Sequence, residues 1–323
     1  MYRKISAIVV PTLIAIGIIA YMLLRVWGDL LVALQHMVPA YLIVAVVICV
    51  CAWVMRGWRY RAILKSLNYD VHLTVATACI FVSQTANLVV PARLGDFVRV
   101  FILNHEYNTT YSEGVSSIVV ERVFDIIMVA LLGAISLPFV LNVPPWFLTV
   151  IIVPLVAGAL FFGFLIVSGK LQAQNRYIRI LLTMLHEIRR ASLGICSIVS
   201  LSVSSLIIWI LDVLVCLAVV LMFGQQIPFA IVVLAIVIGN LVKAVPITPG
   251  GVGTYELSLV LTFELAGVSP AVATLIAVID HLIKNLVTLA GGIISIYLFG
   301  DWVIPSIKKA LGSRLDGGGS TDC

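Results

Sequence analysis

Apolar runs of about 20 residues or more, each long enough to cross a hydrocarbon core, lie at 5–24, at 126–141 extended back to 112, at 146–168, at 193–222 and at 270–299. A slightly shorter run lies at 38–55. These six predict transmembrane helices. Two further apolar segments, one over 71–90 and one starting near 229, end abruptly in "NLVVPARLGDFVR" (87–99) and "NLVKAVPITPGGVGTYE" (240–256). Proline removes a backbone donor and clashes with the preceding turn, so proline and glycine at this density end a helix. If 71–90 crossed completely, the polar stretch 95–110, "GDFVRVFILNHEYNTT", would have to carry the chain back. It is too short and too polar for that, so the pattern predicts a re-entrant hairpin. A second hairpin, following the "GQQIP" connection at 224–228, enters from the opposite face.

The two interrupted segments resemble each other. "NLVV" followed by "PARLGDFVRVFIL" parallels "NLVKAV" followed by "PITPGGVGTYELSLVL", and Ser112 and Ser269 each open a long helix about 20 residues beyond the proline. Each long helix carries charge at similar depth: Glu121, Arg122 and Asp125 in one, Asp280, His281 and Lys284 in the other. The predicted fold is an all-α polytopic membrane protein, about six full transmembrane helices plus two re-entrant helical hairpins in an inverted repeat with a central binding site. Residues 1–300 form a single transmembrane domain, and 301–323, closing in "GGGSTDC", form a short flexible cytoplasmic tail.

Composition agrees with lipid as the main solvent: 62% of the 323 residues are apolar, 11% are charged and the mean hydropathy is +1.17. Most of the 20 basic residues fall in four places, namely Arg3 and Lys4, Arg56 to Lys65, Lys170 to Arg190, and Lys308 to Arg314. The positive-inside rule puts these in the cytoplasm, with both termini there. The first run follows Arg3 and Lys4 as in a signal peptide, yet it is too long for a signal's apolar core and no clean cleavage site follows, so it is read as a retained helix. Cys49, Cys51, Cys79, Cys196, Cys216 and Cys323 show no metal-ligand or CxxC spacing. The longest hydrophilic stretch, 169–192, is too short for a soluble catalytic domain, and no GxxxxGK[ST] occurs. A non-enzyme without cofactor or metal is the expectation, because no nucleophile–base pair is recognisable. Nothing suggests nucleic-acid binding.

Ionisable groups at membrane depth cost about 3 kcal/mol each, so they should be paired or working. Arg93, Asp96 and Arg99 have two readings. They form an interfacial helix start with snorkelling arginines, or they join free backbone amides in receiving an anionic headgroup, with Asp96 orienting Arg93 or Arg99. Arg122 can pair with Asp125, Asp96 or Glu256, in a structural or a transport role. Gly250, Gly251 and Gly253 supply the second break. Glu256 stands in Asp96's place in the repeat, where it caps a half-helix or takes part in binding. Asp280 and Lys284 should pair at i,i+4. A lone His281 is more often a satisfied core residue than a proton relay, and Asp212, alone in its span, needs a cation from another helix.

The motifs "RGWRYRAIL", "NLVVPARLGDFVRVFIL", "VVERVFDIIMVALL" and "PITPGGVGTYELSLVL" resemble those of the flippase-like family that includes the membrane portion of lysylphosphatidylglycerol synthase, also called multiple peptide resistance factor. The resemblance runs over roughly residues 5 to 299. It implies a cell-membrane protein that moves lipids or lipid-linked groups between leaflets, with Arg93, Asp96, Arg99, Glu121, Arg122, Asp125, Pro249, Gly250, Gly251, Gly253 and Glu256 on the family's motif positions. His281 departs from the pattern, since relatives usually carry Arg there. The soluble aminoacyl-transfer domain of the synthases does not follow, so synthesis of lysyl-lipid is not expected. The alternatives are an accessory subunit of a lipid-linked glycosyl or aminoacyl transfer system, working beside a lipid-modifying enzyme, and a secondary transporter of a small anion. The residues leave the oligomeric state open.

Overall fold

Two runs of helices of matching order build the protein. The computed structural model describes residues 2–35, 37–90, 93–140, 144–168, 176–245 and 248–299. The first run comprises α2 (Ala40–Ser66), α3 (Leu73–Val89), α4 (Asp96–Tyr107) and α5 (Tyr111–Ser136); the second comprises α8 (Ile195–Met222), α9 (Phe229–Ala244), α10 (Thr254–Leu265) and α11 (Pro270–Phe299). In each run a long helix is followed by a short apolar one, a break, a 12-residue helix and another long helix. Helix α1 (Tyr2–Gln35) precedes them, and α6 (Pro145–Ser168) and α7 (Arg176–Ser192) connect them.

Among the described residues, four helices, α2, α6, α8 and α11, are long and apolar enough to cross a membrane, while α3 and α9 are apolar but shorter. Large apolar side chains point outward along them, for example Ile152, Val156, Leu160 and Phe164 on α6, as lipid-facing positions do. Polar residues turn inward instead.

The packing is symmetric between the runs. Helix α2 lies along α8 at the centre, α3 packs on α11, and α9 packs on α5, so each short apolar helix leans on the long helix of the other run. Gly292 permits the α3–α11 approach, since a Cβ there would lie 2.0 Å from Thr85 Oγ1; the Thr85 hydroxyl donates to the Thr288 carbonyl at 2.9 Å.

Several expectations change. The stretch 169–192 was expected as a hydrophilic connection; part of it is α7, an amphipathic helix lying on α5, where the Ser112 and Ser116 hydroxyls donate to Glu187 at 2.8 and 2.9 Å. Arg56 and Arg59 were counted with the cytoplasmic basic residues, but Arg59 is only 1% exposed and Arg56 reaches inward to Asp212. Helix α2 simply continues past them, so only the end of that cluster, Arg61 and Lys65, reaches the surface. The tail 301–323, Cys323, Pro91 and Pro246 lie outside the described residues.

Candidate functional site

The two breaks meet. The first lies between α3 and α4, where Val90 is extended and Arg93 takes a left-handed backbone with φ 54°. Gly95 is held so closely over the end of α3 that a Cβ would sit 2.6 Å from the Asn87 nitrogen and the Ser83 carbonyl oxygen, so this turn admits no side chain. The second break runs from Val245 to Gly253, with Gly250, Gly251 and Gly253 all at positive φ, a conformation open to glycine at little cost. Across the junction, Arg93 Nη2 donates to the Lys243 carbonyl at 3.4 Å, and Gly250 abuts Leu88. Helix α1 covers the back of the second break, with the Ala15 carbonyl and Ile18 against Gly253.

A cavity of about 370 Å³ opens at this junction. Its walls include Arg93, Glu121, Arg122, Asp125, Gly250 and Gly251, together with Arg56, Asp212, Lys243 and Lys284. Polar neutral groups (Gln84, Asn87, Asn240, Asn285) and the indoles of Trp53 and Trp209 complete it. Of the residues singled out from sequence, Asp96, Arg99, Gly253, Glu256 and His281 stand behind the wall and not on it. Arg56, Lys243 and Lys284 are wall residues that sequence reasoning did not place at the site.

Nearly every interior charge has an opposite partner. Arg59 forks onto both oxygens of Asp125, one at 3.0 Å, and also donates to Ser205. Arg99 pairs with Glu121 at 2.6 Å and lies 4.7 Å over the Tyr60 ring. Asp96 is held by Arg122 at 3.0 Å and accepts from Ser83, Gln84 and Asn87 at 3.0, 3.2 and 2.9 Å. The carboxylate expected to orient Arg93 or Arg99 therefore serves Arg122, because α5 brings that guanidinium across the start of α4. Of the three partners open to Arg122 from sequence, the structure gives Asp96, since Asp125 turns to Arg59 on α2 and Glu256 to His281. Arg56 meets Asp212 at 2.7 Å, which supplies the cation that Asp212 requires.

In the second run, Lys284 pairs with Asp280 at 2.9 Å as the i,i+4 spacing predicts, and Tyr255 donates to the same carboxylate at 2.7 Å. Glu256 accepts from the Gly253 amide at 2.7 Å, closing the start of α10, and its other oxygen meets His281 Nδ1 at 2.7 Å. The opposite ring nitrogen, Nε2, lies 3.1 Å from Lys243 Nζ. Lys243 and Glu256 are thus linked through one imidazole. After these six carboxylates are assigned, Arg93 and Lys243 are the wall cations among the described residues with no carboxylate at ion-pair distance; Lys243 meets the His281 ring, and Arg93 meets a backbone carbonyl at the junction.

Among the described residues, no group of three or more His, Cys, Asp or Glu side chains could hold a metal ion. The cavity wall carries five cations, Arg56, Arg93, Arg122, Lys243 and Lys284, against three carboxylates, Glu121, Asp125 and Asp212, so the site is net positive. Helical spans around a charged cavity between two interrupted helical segments define a polytopic membrane protein with a polar site inside it. The chain belongs to the family described as the lysylphosphatidylglycerol synthase TM region, whose profile matches residues 8–292. It is similar to the protein named Glycosyltransferase AglD of Haloferax volcanii, 32% identical over 79% of this chain, and spans about half of that relative, 48% of its length. It is also similar to a UPF0104 membrane protein of Methanocaldococcus jannaschii, 28% identical over 66% of this chain and 93% of the relative. A further UPF0104 membrane protein, from Methanothermobacter thermautotrophicus, is 24% identical over 93% of this chain and 98% of the relative. No solved structure gives a significant match.

Proposed function

We propose that the chain translocates lipids or lipid-linked groups with an anionic headgroup between membrane leaflets, the headgroup passing through the cavity between the two breaks while the hydrocarbon chains stay in lipid. In this reading α1, α2, α5, α6, α8 and α11 cross the membrane. The α3–α4 and α9–α10 segments are hairpins entering from the cytoplasmic and outer faces, α7 lies at the cytoplasmic surface, and both termini are cytoplasmic, in the cell membrane. The protein acts as a non-enzymatic path. The observation that carries the reading is Arg93, a guanidinium without a carboxylate at the junction of the breaks. A planar fork of donors is matched to phosphate and replaces hydration that a headgroup loses on leaving the surface.

Reconstitution into vesicles with fluorescent lipids of different headgroups tests it. Exchange between leaflets should be fastest for phosphate-bearing anionic lipids and absent from protein-free vesicles. Exchange no faster than in protein-free vesicles for every headgroup would overturn the reading.

A second reading has one supporting observation, the 32% identity to a relative named a glycosyltransferase. On that reading the chain is the membrane part of a lipid-linked glycosyl transfer system, and its activity depends on a lipid-modifying enzyme beside it. Leaflet exchange by the purified chain alone separates the two.

A further inference from the structure

The Glu256–His281–Lys243 series differs from every other interior pair, because a titratable ring stands between the charges. Lysine ammonium only donates, so Lys243 Nζ at 3.1 Å requires His281 Nε2 to present its lone pair. The ring proton then lies on Nδ1 and is donated to Glu256 Oε1 at 2.7 Å. In this state the imidazole is neutral and ties Lys243 back from the cavity that the lysine also lines.

We propose that His281 is a proton-binding site coupled to headgroup occupancy, so that a proton and an anionic headgroup are taken up together. This rests on the translocation reading above. A proton arriving from cavity water on Nε2 converts the ring to imidazolium, whose direct partner is Glu256. Lys243 then faces a like charge at contact distance with no lone pair to receive it. Its ammonium leaves for the cavity, where the three wall carboxylates, Glu121, Asp125 and Asp212, already hold arginines. There it stands with Arg93, which is bonded to the backbone carbonyl of the same lysine. Two cations without carboxylates then converge from the two runs, and an anionic headgroup stabilises that state. Linkage requires the converse: headgroup binding draws a proton onto His281.

The neighbours of His281 leave this ring as the group free to switch. Helix α10 offers Glu256 and Tyr255, whose ring centroid is 4.6 Å away. On α11 itself, Asp280 and Lys284 are paired. On the helices packed against α11, Asp212 of α8 is held by Arg56 of α2. Helix α3 carries no charged residue, and on α1 Arg25 is engaged with Glu264.

The test uses the full chain in detergent and dihexanoyl phosphatidylglycerol, whose phosphodiester keeps one negative charge between about pH 5 and 8. Affinity should rise about tenfold on acidification across that range. Binding near neutral pH in weak buffer should take up protons, read with a pH dye. His281→Gln should bind with the wild type's alkaline affinity and take up none. A pH-independent affinity with no proton uptake in the wild type would overturn the coupling while leaving the headgroup site standing. Wild-type pH dependence in His281→Gln would also overturn it. No binding at any pH, together with no leaflet exchange, would overturn the translocation reading and the coupling with it. The wild-type measurements decide the matter even where the variant fails to fold.

Discussion

Asp96 shows how much one side chain organises. Its carboxylate collects Arg122, Ser83, Gln84 and Asn87, tying the end of α3, the start of α4 and the middle of α5 into one unit. Removing one partner of a buried ion pair leaves the other charge uncompensated, which costs about 3–5 kcal/mol. Asp96→Asn should therefore lower the thermal unfolding temperature of the purified protein by several degrees. An unchanged midpoint would mean that the pair contributes nothing to the junction. At this scale the sequence was only half legible. Asp280–Lys284 could be read from spacing, whereas Arg59–Asp125 and Arg56–Asp212 join residues 66 and 156 positions apart, so no local pattern contains them. The need of Asp212 for a distant cation was the one available signal, and Arg56 was hidden because "RGWRYR" has the composition of a cytoplasmic anchor.

The long apolar runs became helices, because about 20 apolar residues in lipid have few ways to satisfy their backbone otherwise; α5, α6, α8 and α11 keep near the expected bounds, whereas α1 and α2 continue past theirs to Gln35 and Ser66. The breaks were legible for a different reason, the density of proline and glycine. The polarity of 176–192 hides the helical period of α7, in which Ile188 and Ala191 are buried while Arg190 stays exposed. The second break makes a specific demand at Gly251, where φ is +77° and a Cβ would lie 2.5 Å from Lys243 Cγ. Gly251→Leu should insert into the membrane normally yet lose most leaflet exchange, since it both strains the turn and displaces the lysine stem. Membrane yield and exchange measured on the same preparation check this. Wild-type exchange would show that the shape of the break is irrelevant to function.

In the whole molecule, a repeated helix order converges on one polar junction. If the α3–α4 and α9–α10 segments are hairpins from opposite faces, then in a cysteine-free background Glu106→Cys should react with an impermeant thiol reagent from the cytoplasmic side and Gln226→Cys from outside. Labelling of residue 106 only from outside would make the first segment a full span and remove the inverted repeat. The central claim is that an anionic headgroup passes at Arg93, and it is tested most directly by leaflet exchange of a phosphate-bearing lipid in vesicles holding wild type or Arg93→Lys at matched protein density. Lysine keeps the charge and the same backbone demand at φ 54° but lacks the planar fork. Exchange should be slowed about tenfold, equivalent to roughly 1.4 kcal/mol. Equal rates would contradict it and leave Arg93 a tie between the two breaks, through its bond to the Lys243 carbonyl, outside the transport path.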